Sequence, residues 1–349
     1  MVPLAFITRN NHIESIHYGF IYITDSSENI IYSAGDCNAK IFFRSCVKPI
    51  QALALIKSGA SKKYNLTLKE IAVACASHAG QEIHQKTVLD ILHKIEIDES
   101  YLQCGITTPE NDLEYEKLIV EGKPPTVLHC GCSGNHSAML ALAKFRGYNL
   151  NNYREIDHPV QQEILKTVSE FCGMEPDSIE IGRDGCGVPA YFLPIKNIAF
   201  SYAKLTAISC DKGHPYHESC NTVFNAMNRY PEMVAGDSMF CTELMKTAKG
   251  KLIGKIGSEG VYCLGIKNGS LGICIKIADG NKRAVYSIVV QILKEFGILN
   301  HNEIAMLRNW HYGILKNNHG EIIGNILPVP APDRISDIKQ YGFKLNNID

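Results

Sequence analysis

Lys251-Leu252-Ile253-Gly254-Lys255-Ile256-Gly257, then Val261-Tyr262-Cys263-Leu264-Gly265-Ile266, then the turn Lys267-Asn268-Gly269-Ser270 and the run Leu271–Ala278, decide the fold of this chain. An Asn-Gly step between two apolar runs is the strongest short-range hairpin signal, so antiparallel strands are expected here. Arg283–Phe296 follows with helical spacing of its apolar residues. The start of the chain has the same strand character: His17–Ile23 is broken by Asp25-Ser26-Ser27-Glu28-Asn29 and resumes at Ile30-Ile31-Tyr32, which predicts a second hairpin. Between these ends, Ser45–Ile56, Leu68–Ala76, Gln81–Ile95, Gly134–Arg146, Pro159–Phe171 and Tyr216–Arg229 are spaced as helices. Gly59, Gly147 and Gly173 lie just past three of them, and Pro231 stops the last. The pattern predicts an α+β fold in which one antiparallel sheet is built from N- and C-terminal strands, flanked by helices, with a helical lobe inserted. The expected organisation is a single catalytic unit over 1–349, with a sheet lobe of about 1–65 and 250–349 and a mostly helical lobe of 66–249.

The composition narrows the function. Of 349 residues, 35 are Lys or Arg and 36 are Asp or Glu, a net charge of −1 that gives no electrostatic case for nucleic acid or an anionic membrane. A chain that is 45% hydrophobic and 20% charged is globular, not disordered or fibrous. The odd total of 13 cysteines, with no C-x-x-C pair, fits free thiols in a reducing compartment better than a disulfide framework. The N-terminal MVPLAFITRN has no basic region followed by a sustained apolar stretch, and no run of about eighteen apolar residues occurs anywhere. A cytoplasmic protein is expected.

Arg44-Ser45-Cys46-Val47-Lys48-Pro49 places a serine and a lysine three apart at the start of a helix, on one face, so that the amine can reach the hydroxyl. Such a lysine serves as general base once its pKa falls well below the ordinary value of about 10.4. Spacing alone decides little, because Ser201/Lys204, Ser209/Lys212 and Ser336/Lys339 share it. Context singles out Ser45, which follows a hairpin and opens an apolar helix. Ser77-His78 ends a later helix, and Lys255-Ile256-Gly257 lies on the strand that restarts the sheet. Serine β-lactamases and penicillin-binding proteins use S-x-x-K, a second loop serine and K-T-G on a sheet strand in that order. Taken singly, Ser77 reads as a helix-ending residue and Lys255 as a strand lysine. Converging on one cleft, two lysines would disfavour each other's charge and leave one neutral near pH 7. The glycine-rich turns Cys130–His136 and Arg183–Pro189 let backbone approach a small ligand. Asp184 is there the natural partner of a substrate ammonium. The cysteine spacing is a poor zinc signature by itself, and buried reduced thiols are the ordinary reading.

In this order the segments resemble the rhizobial-type, class 3 L-asparaginases, distant relatives of the serine β-lactamase fold. They are FRSCVKPIQALAL (Phe43–Leu55), ACASHAGQ (Ala74–Gln81), HCGCSGNHSAML (His129–Leu140), GRDGCGVPAYFLP (Gly182–Pro194), GDSMFCTELM (Gly236–Met245) and GKIGSEGVYCLG (Gly254–Gly265). The resemblance implies hydrolysis of asparagine to aspartate and ammonia, with Ser45 as nucleophile, Lys48 as its base, and Ser77 with Lys255 as a second pair. It implies a substrate contact for Asp184 and a substrate-side place for Cys241, and a homodimer. It also implies zinc held by Cys132 and Cys186. The family's third ligand is a lysine in C-S-G-K-H, and Asn135 stands there, a poor zinc donor. The chemistry expected of the serines and lysines needs no cofactor. Arg44 and His78, each beside a catalytic serine, are the candidates for the substrate carboxylate. A serine β-lactamase or peptidase, a glutaminase, and a non-catalytic amino-acid binding protein are the competing readings.

Overall fold

The structure, a computed structural model, describes residues 1–330; the end of the expected sheet lobe and the Ser336/Lys339 spacing fall outside the described residues. Along the chain the strands are β1 (Val2–Arg9), β2 (His12–Thr24), β3 (Ile30–Ala34), β4 (Lys40–Phe42), β5 (Glu180–Arg183), β6 (Pro189–Pro194), β7 (Leu252–Gly257), β8 (Val261–Ile266), β9 (Leu271–Ile277), β10 (Gly313–Lys316) and β11 (Ile322–Pro328). The main sheet runs β10-β11-β1-β2-β9-β8-β7, with β3 on the second half of β2, and its pairings are antiparallel. N- and C-terminal strands therefore share one sheet, because β2 pairs β9 from Gly19↔Ile277 to Thr24↔Gly272. β4, β6 and β5 form a small antiparallel sheet beside the cleft.

Both expected hairpins form. β2 pairs β3 at Ile21↔Ala34, and β8 pairs β9 across Ile266↔Leu271, with Gly269 taking φ 77° in a short 3-10 turn. β1 was not foreseen: its middle, Leu4–Ile7, is buried without alternation, and such a run does not declare its period. The helix expected from Ser45 begins as a 3-10 turn, Arg44–Val47, and becomes α-helical only over Lys48–Lys57. Arg44 has φ 51°, the left-handed region, which ends the extended run from β4 and turns Ser45 into the helix start.

Helices cover the sheet closely. The Ile195–Cys210 helix lies on the strand pair at Gly265↔Gly272, where a Cβ on Gly272 would come 1.9 Å from the Ala199 carbonyl oxygen. Only two facing glycines admit a backbone at that distance. β7 ends the hydrogen-bonded order, so one side of it is an unpaired edge facing the helical block. The Leu68–Ala74 helix opens on a Thr67/Glu70 capping box and delivers Ser77 just past its end. No helix among the described residues is long and apolar enough to cross a membrane.

Candidate active site

A cavity of about 450 Å³ opens between edge strand β7, the Arg44–Val47 turn and the helical block, lined among others by Arg44, Ser45, Ser77, Cys132, Asp184 and Gly257. Four chain segments deliver the central groups. The 3-10 turn presents Ser45, half-buried, and the next helix sends Lys48 inward. Ser77 follows the Leu68–Ala74 helix, and Lys255 comes from edge strand β7.

Ser77 is the hub. Its Oγ accepts from Lys48 Nζ at 3.1 Å and from Lys255 Nζ at 2.9 Å. Lys48 also donates to the Ala76 carbonyl at 2.7 Å and to the Cys132 sulfur at 3.2 Å, and Lys255 donates to the Ile256 carbonyl at 2.7 Å. Lys48 is 4% exposed and Lys255 is 0% exposed, so water solvates neither charge. The direct Ser45–Lys48 contact expected from spacing is absent. The Lys48 amine is drawn instead to Ala76, Ser77 and Cys132, each of which satisfies one of its three N–H donors.

The two lysines differ in charge. Burial, with the nearby Lys48 charge, pushes Lys255 down to about 8. Burial also acts to lower Lys48, but the neighbouring cysteines, Cys132 first, outweigh it and raise its pKa. Cys132 is itself held well below the ordinary thiol value, because Cys130 and Cys186 donate to its sulfur and Lys48 lies beside it. Of the two lysines expected to disfavour each other's charge, the one whose proton is loosened is Lys255, not Lys48, the expected base.

Arg44 and Asp184 form an ion pair across the cavity wall, Nη2 to Oδ1 at 3.0 Å, with the Gly185 N–H donating to the same carboxylate at 2.6 Å. Their side chains are 22% and 18% exposed, so the pair is accessible but partly desolvated. His78 does not share the carboxylate role given to it. Its Nδ1 accepts from the Gly80 N–H at 3.2 Å, which leaves the proton on Nε2, 2.9 Å from Ser133 Oγ. Burial and the adjoining His84, stacked at 4.8 Å, hold its pKa well below the usual histidine range. His78 is thus a neutral buttress in the cavity wall. Cys241 is also misplaced by the sequence reading: it is buried, 3.3 Å from the Tyr262 hydroxyl, and is not among the cavity-lining residues.

The residues present do not fit a resident zinc ion. Cys132 and Cys186 are neighbours, but the Cys132 sulfur already accepts from Lys48 Nζ at 3.2 Å and from the Cys130 and Cys186 thiols. Asn135 turns its amide to the Ala74 carbonyl at 3.3 Å and lines a separate small cavity with Gln51 and Leu55. Among the described residues no three His, Cys, Asp or Glu side chains are grouped to hold a metal. All thirteen cysteines are free.

Sequence reasoning missed two charged residues of the cavity rim, Glu110 and Lys282, which pair at 3.5 Å. Glu110 sits in the Thr107-Thr108-Pro109-Glu110-Asn111 connection and Lys282 begins a helix; neither carries a spacing signal. It also missed Tyr202, whose hydroxyl donates to the Cys46 carbonyl at 2.7 Å and so holds the turn that carries Ser45.

A hydroxyl bridged by two buried amines thus shares one cavity with an ion pair on an α+β scaffold. The chain belongs to the L-asparaginase II family, whose model matches residues 5–328, and is accordingly an asparaginase-type hydrolase acting on a small molecule. No curated protein matches it. Among solved structures, a β-lactamase from Mycobacterium bovis is similar at 13% identity and a TM-score of 0.44, covering 80% of this chain and 94% of that one. A candidate β-lactamase from Bacteroides dorei is similar at 11% identity and a TM-score of 0.41, covering 79% and 93%. The protein Mglu in its native form is similar at 16% identity and a TM-score of 0.38, covering 81% and 62%. Likenesses this distant say nothing of activity.

Proposed function

We propose that this protein is an L-asparaginase that hydrolyses L-asparagine to L-aspartate and ammonia through a Ser-Lys acyl-enzyme mechanism. The observation that carries the reading is Ser77 Oγ held between Lys48 and Lys255, in a cavity that also contains the free hydroxyl of Ser45 and the Arg44–Asp184 pair. An α-amino acid is a zwitterion. It can insert between Arg44 and Asp184, carboxylate to guanidinium and ammonium to carboxylate, so that each partly buried charge exchanges one partner for another and none is left unpaired.

Ser45 then attacks the side-chain amide carbon. Lys255, neutral, takes the proton of Ser77, Ser77 takes one from Lys48, and the freed Lys48 amine, which must turn from Ser77 toward Ser45 when substrate binds, takes the proton of Ser45. The amine pair thus acts as one base with its proton sink at Lys255. The N–H of Ser45 at the helix start and the unpaired edge of β7 near Gly257 supply donors for the oxyanion. The proton returns along the same chain to the departing nitrogen, ammonia leaves, and water hydrolyses the β-aspartyl ester. No step passes through a metal. A binding protein would use Arg44 and Asp184 but gain nothing from two buried lysines, each of which costs several kcal/mol to desolvate. A β-lactam or peptide amide lacks the free zwitterion that the ion pair suits, and nitrocefin turnover would revive that reading.

The test is ammonia release by the purified protein with asparagine and with glutamine. Release from asparagine supports the reading, and release from glutamine alone would make the enzyme a glutaminase. Thermal stabilisation by asparagine without ammonia would make the protein a binder and overturn it.

A further inference from the structure

The cavity holds a second pair of opposite charges that ammonia release does not use. Lys282, at the first residue of the Lys282–Glu295 helix, meets Glu110 at 3.5 Å across the cavity rim, and both line the same space as Ser45. Their side chains are 50% and 61% exposed, against 22% and 18% for Arg44 and Asp184, so one pair lies inside and the other at the mouth. Among the described residues, this is the one salt bridge that joins the chain beyond residue 250 to the helical block. An exposed ion pair of this kind is worth about 0–1 kcal/mol and is readily exchanged for another partner.

The volume points the same way. About 450 Å³ falls within the range of sites that enclose drug-sized ligands and exceeds what a single small amino acid fills. With the α-carbon end anchored at Arg44 and Asp184 and the side-chain carbonyl at Ser45, any substituent on the amide nitrogen points away from the anchor. It enters the remainder of the cavity, whose lining includes Thr107, Thr108, Glu110 and Lys282.

We propose that the site also cleaves secondary β-amides of aspartate whose leaving amine carries a carboxylate, that is, β-aspartyl isopeptides, with Lys282 releasing Glu110 to hold that carboxylate. The inference rests on the acyl-enzyme reading above. The bond from the β-carbonyl carbon to nitrogen breaks as the Ser45 ester forms. The Ser45 proton goes to the leaving amine, and water then opens the ester, so that one isopeptide and one water give aspartate and a free amino acid. Glu110 keeps Lys282 occupied when the leaving group is ammonia and exchanges with the carboxylate that substrate binding holds beside Lys282 when it is an amino acid.

The experiment measures kcat/KM for β-aspartyl-glycine and for asparagine on the intact protein and on two variants. Lys282→Ala is expected to lower the ratio of isopeptide to asparagine kcat/KM about tenfold, the scale of one lost charge-assisted contact. Glu110→Gln is expected to raise the same ratio, because Lys282 loses its competing partner. A merely structural role for the pair would move the ratio in neither direction. Hydrolysis of asparagine with no cleavage of the isopeptide overturns this inference alone, and so does a ratio that both variants leave unmoved. Inactivity toward both substrates overturns the acyl-enzyme reading itself.

Discussion

Lys48 and Lys255 reach the same hydroxyl from opposite sides of the cleft, equally buried, yet their environments drive them apart. Around Lys48 stand three cysteines, Cys132 with its pKa held well below the ordinary thiol value, and together they raise the pKa of the ammonium. Lys255 has a carbonyl and a hydroxyl for hydrogen-bond partners, and there burial and the Lys48 charge outweigh the opposing pull of Cys241, Cys46 and Cys132, so its proton is loosened. Burial weakens both charges; what separates a charge-holding lysine from a proton-accepting one is whether the neighbouring cysteines outweigh that burial. Two chemically identical side chains on one serine thus divide the work of a base between them.

The comparison can be broken at several points. The largest effect is expected where the relay begins. Ser45→Ala should lower kcat by about 10⁴–10⁶, the scale of losing an acyl-transfer nucleophile, with the folded state intact by circular dichroism. A variant that releases ammonia at near-normal rates would remove Ser45 from the mechanism. Lys255→Met should cost about 10²–10⁴ in kcat, the usual worth of general-base catalysis, while leaving the protein as stable or more so, because an apolar side chain replaces a buried cation. A loss of stability without that loss of rate would assign Lys255 a structural role.

The pH dependence gives a smaller and graded effect. Lys255 must be neutral to act and its pKa is lowered to about 8, so kcat should fall as pH drops below about 8 and level off above it. Stability carries the same sign. With the folded value near 8 and the unfolded one near the ordinary 10.4, the unfolded chain binds more protons between them, and the melting temperature should climb as pH rises through that window. Lys255→Met should flatten that climb. The smallest effect expected is none: exhaustive chelation should leave activity and melting temperature unchanged, and zinc should measure well below one per chain. Stoichiometric zinc would mean that Lys48 withdraws from Cys132 to make room for it.

How much of this was legible in the sequence differs between fold and site. The order of strands and helices is visible because Asn268-Gly269 and the alternating β2 segment are local signals, and local signals fix hairpins. β1 was hidden because Leu4–Ile7 is buried on both faces and shows no period. Type and order along the chain singled out Ser45, Lys48, Ser77 and Lys255, of which the last three meet in one hydrogen-bonded cluster and Ser45 lines the same cavity. Their electrostatics were not, since Lys48 becomes the charged lysine only because Cys132, far along the sequence, folds against it. His78 failed for a related reason: adjacency to Ser77 says nothing of Ser133 and Gly80, which use up its ring. Cys241 lies next to site-facing segments, but its helix, Phe240–Ala248, turns it into the core against Tyr262.

The claim on which everything else depends is that Ser45, and not the doubly bonded Ser77, carries the acyl group. Quenching the enzyme in turnover and mapping the covalent adduct by peptide mass spectrometry tests it directly. A β-aspartyl ester is expected on the peptide containing Ser45, present with Ser77→Ala, though formed more slowly, and absent with Ser45→Ala. An adduct on Ser77 that persists in Ser45→Ala would contradict it.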